Sequence, residues 1–146
     1  MVSVSDLMTK NVIHSIRPES TVKNAAEKMK EVHSGCLVVI NRGILVGIVT
    51  ERDLVQRVVA EGKSFKKTQV SQIMTTPVIA ISPRAPVSDA AKLMIKNGIR
   101  RLPVRDHSRI VGMLTTTDFA KFLGAKARKE PMFAAAARAE YQTIFE

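Results

Sequence analysis

Apolar positions along this chain follow two rhythms that alternate. Val22, Ala25, Ala26, Met29 and Val32 recur every three or four residues, the spacing that lines one face of a helix. Val87, Ala90, Ala91 and Met94 repeat that spacing. Ser20 and Thr21 are placed to cap the first helix with a side-chain oxygen. Pro86 suits the first turn of the second, and Gly98 is placed to end it. Compact apolar runs at 37–40 and 44–49, and again at 102–105 and 110–114, predict paired strands. Asn41-Arg42-Gly43 and Asp106-His107-Ser108 supply the turns between them. Shorter strands are expected at 12–16 and 78–81, each after a Met-Thr turn, and further helices over about 51–60 and 116–123. Each half therefore reads strand, helix, strand, strand, helix.

The two halves also match residue by residue. Val4-Ser5-Asp6-Leu7-Met8-Thr9 aligns with Val70-Ser71-Gln72-Ile73-Met74-Thr75 at an offset of 66. One extra residue near His14 or Ser15 then changes the offset to 65, which pairs Ile16 with Ile81, Pro18 with Pro83, Met29 with Met94 and Leu37 with Leu102. A register sustained over a whole half makes the chain one supersecondary unit used twice. The expected fold is mixed α/β (α+β): domain one at 1–62, a polar linker at 63–69, domain two at 70–124 and a C-terminal helical extension at 125–146. Pro131 can start that helix, with Phe133, Ala137, Tyr141 and Ile144 or Phe145 on one stripe. The strands are apolar on both pleat faces, so both faces need cover. Packing of the halves about a pseudo-twofold axis would supply it and leave two related clefts.

Composition narrows the class. At 146 residues the chain can bury roughly 70% of its unfolded surface and needs no disulfide or metal to fold. No apolar run approaches the roughly 18 residues of a membrane span, and the N-terminus lacks a signal-peptide layout. The single Cys36, beside the apolar run 37–40, reads as a small buried hydrophobe. These features predict a cytoplasmic protein without a membrane partner. The net charge of +10 attracts anions, whether nucleotides, nucleic acid or acidic proteins. Nucleic acid is the alternative partner, but aromatic content is 4%, Trp is absent and Tyr141 is the one tyrosine, so platforms for base stacking are poor.

Candidate chemistry sits in two copies of one motif, Gly47-Ile48-Val49-Thr50-Glu51-Arg52-Asp53 and Gly112-Met113-Leu114-Thr115-Thr116-Thr117-Asp118, 65 residues apart. A Thr followed by an acid three residues on is a capping box in outline. The same geometry offers free amides at a helix start, which attract phosphate. The glycine three residues before each Thr lets backbone or ligand come close. His14, His33 and His107 lack metal-ligand spacing, no phosphate-binding Gly-Lys loop is present, and no nucleophile–base set stands out. An enzyme has no support at motif level.

With these features in view, the chain resembles a tandem pair of CBS (cystathionine beta-synthase) domains, also called a Bateman module, over roughly residues 3–123. The resemblance implies a non-catalytic sensor with no required cofactor. Its regulatory ligand would be an adenine nucleotide (AMP, ADP or ATP) and, less often, S-adenosylmethionine or an NAD-type molecule, held in the inter-domain clefts. It implies that Thr50 and Thr115 contact phosphate and that Asp53 and Asp118 accept bonds from ribose hydroxyls. It places Pro77, Val78 and Ile79 beside adenine and makes Arg100 or Arg101 a phosphate contact. Ile48 and Met113 hold equivalent places in the two motif strands; Met113 faces either the adenine or the core. The second copy adds Thr116 and Thr117, whereas the first has Gly35 and Cys36 in place of the arginines and Glu51 in place of Thr116. The second site is therefore expected to bind more tightly. The resemblance further implies a homodimer and an unidentified regulated protein; the apolar stripes at Leu54, Val55, Val58 and Val59 and at Phe119, Phe122 and Leu123, with the C-terminal helix, read equally as dimer surface or as core.

Overall fold

Thr21 shows how closely local chemistry sets the elements. Its side-chain oxygen accepts from the Asn24 amide at 3.1 Å, and the Asn24 side chain accepts from the Thr21 amide at 3.2 Å. This reciprocal cap opens a helix over Val22–Val32, and His33, at φ 52°, closes it. The matching helix, Val87–Asn97, starts after Pro86 and ends at Gly98, whose φ of 61° is the left-handed conformation glycine adopts without strain. The structure, a computed structural model, describes residues 1–9, 13–129 and 142. The extension expected from Pro131 lies outside the described residues.

In chain order the described elements are α1 (Val4–Leu7), β1 (Ser15–Ile16), α2 (Val22–Val32), β2 (Cys36–Asn41), β3 (Ile44–Thr50), α3 (Glu51–Leu54), α4 (Val70–Ile73), α5 (Val87–Asn97), β4 (Arg101–Asp106), β5 (Arg109–Thr115) and α6 (Thr116–Lys129). A π-helical turn, Val55–Val59, continues α3. β2 and β3 form an antiparallel hairpin with Cys36 opposite Thr50, and β4 and β5 repeat it with Arg101 opposite Thr115. A bulge falls at the same place in both, after Val39 and after Val104. β1 runs parallel to β2, pairing Ser15 with Val38 and Ile16 with Val39.

The strands expected at 12–16 and 78–81 are shorter than the apolar run suggests. The first spans two residues, and the second shrinks to a single parallel bridge from Ile81 to Val104. The helix expected over 116–123 instead continues through Gly124 to Lys129.

The chain folds as two compact units, one from residues 13–78, the other from 1–12 with 79–146. These cuts differ from those of the repeat, because the openings α1 and α4 are exchanged. Val4 of α1 is fully buried in a core with Val87, Ala90, Met94, Leu102, Leu114 and Phe119. Its amide donates to the Ala85 carbonyl at 2.9 Å, and the Ser5 amide to that of Pro83 at 3.0 Å. Val70 and Ile73 of α4 are buried with Val22, Met29, Leu37 and Val49, and the amides of Val70 and Ser71 donate to the carbonyls of Ser20 and Pro18. Each unit thus completes its core with the opening segment that the sequence repeat assigns to the other half.

Val4→Ala should destabilise by about 1–3 kcal/mol. Hydrogen exchange should show faster amides in α5, β4 and β5, with α2 and β2 little changed. The reverse pattern would contradict the exchange of openings.

Candidate functional site

Thr50 ends β3 and caps α3; Thr115 ends β5 and caps α6. In the first motif the Thr50 amide donates to Asp53 Oδ2 at 2.9 Å, and the Asp53 amide donates to Thr50 Oγ1 at 3.2 Å. In the second, the Thr115 amide donates to Asp118 Oδ2 at 2.8 Å and the Asp118 amide to Thr115 Oγ1 at 3.2 Å. The Thr115 hydroxyl also donates to Asp118 Oδ2 at 3.0 Å. Both motifs are therefore capping boxes. One oxygen of each carboxylate and each threonine oxygen take part in the local turn, and the second carboxylate oxygen lies outside it.

That second oxygen differs between the copies. Asp53 Oδ1 lies 3.7 Å from Arg57 Nε, and the Asp53 side chain is only 12% exposed. Arg57 Nη1 also donates to the carbonyls of Ile73 and Met74, at 3.0 and 3.3 Å, which ties the guanidinium to the end of α4. At the position equivalent to Arg57 the second copy has Phe122. Asp118 Oδ1 accordingly has no hydrogen-bond or ion-pair partner among the described residues.

The surroundings also differ in charge. The Thr116 amide donates to the Arg100 carbonyl at 3.1 Å, and Arg101 lies opposite Thr115 across the hairpin. Arg100, Arg101, Thr115, Thr116 and Asp118 thus gather at one end of the β4–β5 hairpin, with Arg100 and Thr116 exposed and the others half-buried. In the first copy the same backbone bond runs from the Glu51 amide to the Gly35 carbonyl at 2.9 Å. A Cβ placed on Gly35 would lie 3.0 Å from Glu51 Oε2, so a carboxylate covers the position that carries Arg100 in the second copy.

The motif glycines serve the fold. A Cβ on Gly112 would lie 2.6 Å from Met8 Sδ and 2.9 Å from the Thr9 carbonyl, and one on Gly47 would collide with Met74 Sδ. The Met-Thr segment lies directly on the motif strand in each unit. Thr9 and Met113 exchange amide–carbonyl bonds of 2.9 and 3.1 Å, and Thr75 and Ile48 exchange bonds of 2.8 and 3.1 Å. Ile48 and Met113 are both half-buried. Pro77 and Val78 belong to the 13–78 unit, whereas Ile79 packs on the core of the other. Pro77 is exposed and follows a cis peptide bond.

Sequence reasoning missed Arg57 and the role of Met8 and Met74. The four-residue spacing from Asp53 to Arg57, absent from Asp118 to Phe122, was the available signal for the first. Among the described residues there is no group of three or more His, Cys, Asp or Glu placed to hold a metal ion. No described helix is long and apolar enough to cross a membrane.

Comparison with known proteins agrees with the fold. A family model for the CBS domain matches residues 4–60 and 70–125. A CBS domain-containing protein of Bacillus subtilis, YhcV, is 37% identical over 120 residues, covering 82% of this chain and 84% of that protein. Among solved structures, the CBS domain pair of MJ0100, in complex with 5′-methylthioadenosine and S-adenosyl-L-methionine, superposes with a TM-score of 0.75 at 29% identity, covering 86% of this chain and 98% of that one. A hexameric CBS-CP12 protein from bloom-forming cyanobacteria superposes with a TM-score of 0.72 at 26% identity, covering 99% and 95%.

Gly47→Ala should lower stability by about 1–3 kcal/mol, the usual cost of overpacking. Combined with Met74→Ala, it should cost less than the two single changes added together, because the truncated side chain vacates the space the new methyl needs. Additive losses in a denaturant double-mutant cycle would show that Met74 is not what requires the glycine.

Proposed function

This chain belongs to the CBS domain family and is a CBS-pair regulatory module; from that premise we propose that its second motif, Thr115 to Asp118, binds an adenine nucleotide. The observation that carries the reading is the second carboxylate oxygen of Asp118, unpartnered among the described residues, at the end of the β4–β5 hairpin where Arg100 and Arg101 also stand. A carboxylate oxygen in that state accepts bonds from ribose hydroxyls, and arginine makes bidentate contacts with phosphate. The hydroxyls of Thr116 and Thr117, both exposed at the start of α6, add donors. Met113 and Ile79 offer apolar surface to the base. The nucleoside part is favoured by MJ0100, whose two ligands both contain adenosine.

The first motif is the weaker partner in this reading. Its free oxygen is held by Arg57, and Glu51 sets a negative charge where phosphate would need a positive one. Occupancy regulates only if the nucleotide prefers one arrangement of the protein over another. A homodimer is part of the proposal. Val55 and Val59 are 59% and 74% exposed on one π-helical turn, an apolar pair that a second copy would cover.

The test is a melting series with AMP, ADP, ATP and S-adenosylmethionine at millimolar concentration. A ligand at a hundred times its Kd should stabilise by about 2.7 kcal/mol. Asp118→Ala should remove the shift, and Asp53→Ala should leave most of it. No shift with any of the four ligands would refute nucleoside binding; a shift with S-adenosylmethionine alone would refute the phosphate contacts. Val55→Lys with Val59→Lys should convert a dimer to a monomer in sedimentation, and an unchanged mass would place the contact elsewhere.

A further inference from the structure

We propose that a groove at the hairpin end of the 13–78 unit is a separate binding site for a phosphorylated small molecule, one carrying two or more linked phosphates. The groove has a volume of about 1010 Å³ and is walled by β1, α2 and the β2–β3 turn. That is the size of a small-molecule site. It lies at the opposite end of the sheet from the Thr50 motif, since β2 runs from Cys36 opposite Thr50 to Asn41 opposite Ile44. Its occupant therefore does not depend on the nucleotide reading.

Three cations from three elements line it: Arg17 after β1, Lys28 from α2 and Arg42 from the turn. Lys28 is half-buried, and its ammonium donates to the Ser15 carbonyl, which anchors the charge to the groove wall. Arg42 sits at φ 51°, followed by Gly43 at φ 79°, so the turn backbone fixes where that side chain begins. Asn24 and Asn41 add amide groups. Glu19 is the one acid in the lining, 3.9 Å from Arg17 in a pair that is mostly exposed and hence weak. Neither Lys28 nor Arg42 has a carboxylate partner among the described residues.

The other repeat provides an internal control. At the same register it has Leu93 for Lys28, Asp89 for Asn24, Asp106 for Asn41, His107 for Arg42 and Arg84 for Glu19. There the cation is satisfied from within: Arg84 makes two bonds to Asp106, at 2.8 and 3.3 Å, with His107 Nδ1 3.0 Å from the same carboxylate. The hydrogen bond from Arg84 is the main reason the Asp106 carboxyl titrates below its ordinary range. The groove instead has Asn41 in place of that acid and three cations, Arg17, Lys28 and Arg42, in place of Ser82, Leu93 and His107, with Glu19 where Arg84 stands. Unneutralised Lys and Arg with amide donors, facing a cavity of ligand size, is the chemistry that recognises phosphate.

The experiment is an amide-resolved NMR titration of the full chain with sodium tripolyphosphate at constant ionic strength, with adenosine and ATP as parallel arms. Tripolyphosphate should shift amides at 15–24 and 40–43. Lys28→Gln with Arg42→Gln should weaken that binding about tenfold or more, the scale of hydrogen bonds to charged groups. Asp118→Ala should leave it unchanged. Asn41→Asp, which restores the acid of the other repeat, should weaken it while both cations remain, and melting temperatures confirm that each variant is folded. Shifts spread over the whole basic surface, shifts at 15–24 and 40–43 with adenosine alone, or binding unchanged in the folded double variant would each overturn the proposal. ATP shifting these amides as tripolyphosphate does would point to a nucleotide's phosphate tail as the occupant. Tripolyphosphate shifting them where ATP does not would point to a ligand without a base.

Discussion

Everything in this molecule depends on a methionine lying across a glycine. Met8 rests on Gly112 and Met74 on Gly47, at contacts that leave no room for a Cβ. The bonds that follow, Thr9 to Met113 and Thr75 to Ile48, set each opening against a motif strand. That placement puts Val4, or Val70 with Ile73, into a core. It also sets the opening against the strand whose last residue caps the next helix. Packing of a thioether against bare backbone thus lies upstream of the ligand chemistry, and the glycine that looked like a concession to a ligand is first a condition of folding.

Duplication gave the protein two versions of one scaffold, and small substitutions have taken them apart. The backbone is repeated down to the bulge after Val39 and Val104 and the bond from residues 51 and 116 back to residues 35 and 100. The side chains are not. Around the first motif Arg57 neutralises the acid; at the second motif an aromatic ring stands in that place, and two arginines line the neighbouring strand. At the far end of each sheet the imbalance is reversed, with cations satisfied in the second copy and open in the first. Each unit therefore has its charge free at a different end of its sheet.

Most of this fold was legible in the sequence, because each repeat checks the other. The helical spacing of Val22 to Val32 and of Val87 to Met94, the caps at Thr21 and Gly98, and both hairpins stand where the pattern put them. The edge strands did not, because apolar content at 78–81 does not say which backbone groups find a partner in the ladder. The exchange of openings was also illegible, since a repeat in sequence reports ancestry, while a core reports contact. At the site, the capping-box pairing of Thr with Asp was legible in the spacing. The lock on Asp53 was not, because the spacing to Arg57 gains meaning only when its guanidinium also meets the end of α4.

The traded openings have an evolutionary corollary. Because the trade is reciprocal, a half-length gene could have made the same two cores from two separate polypeptides, each lending its first turn to the other. Fusion would have changed nothing in those cores. It would have turned an encounter between molecules, limited by concentration, into a closure within one chain, and it would have freed the formerly identical halves to diverge.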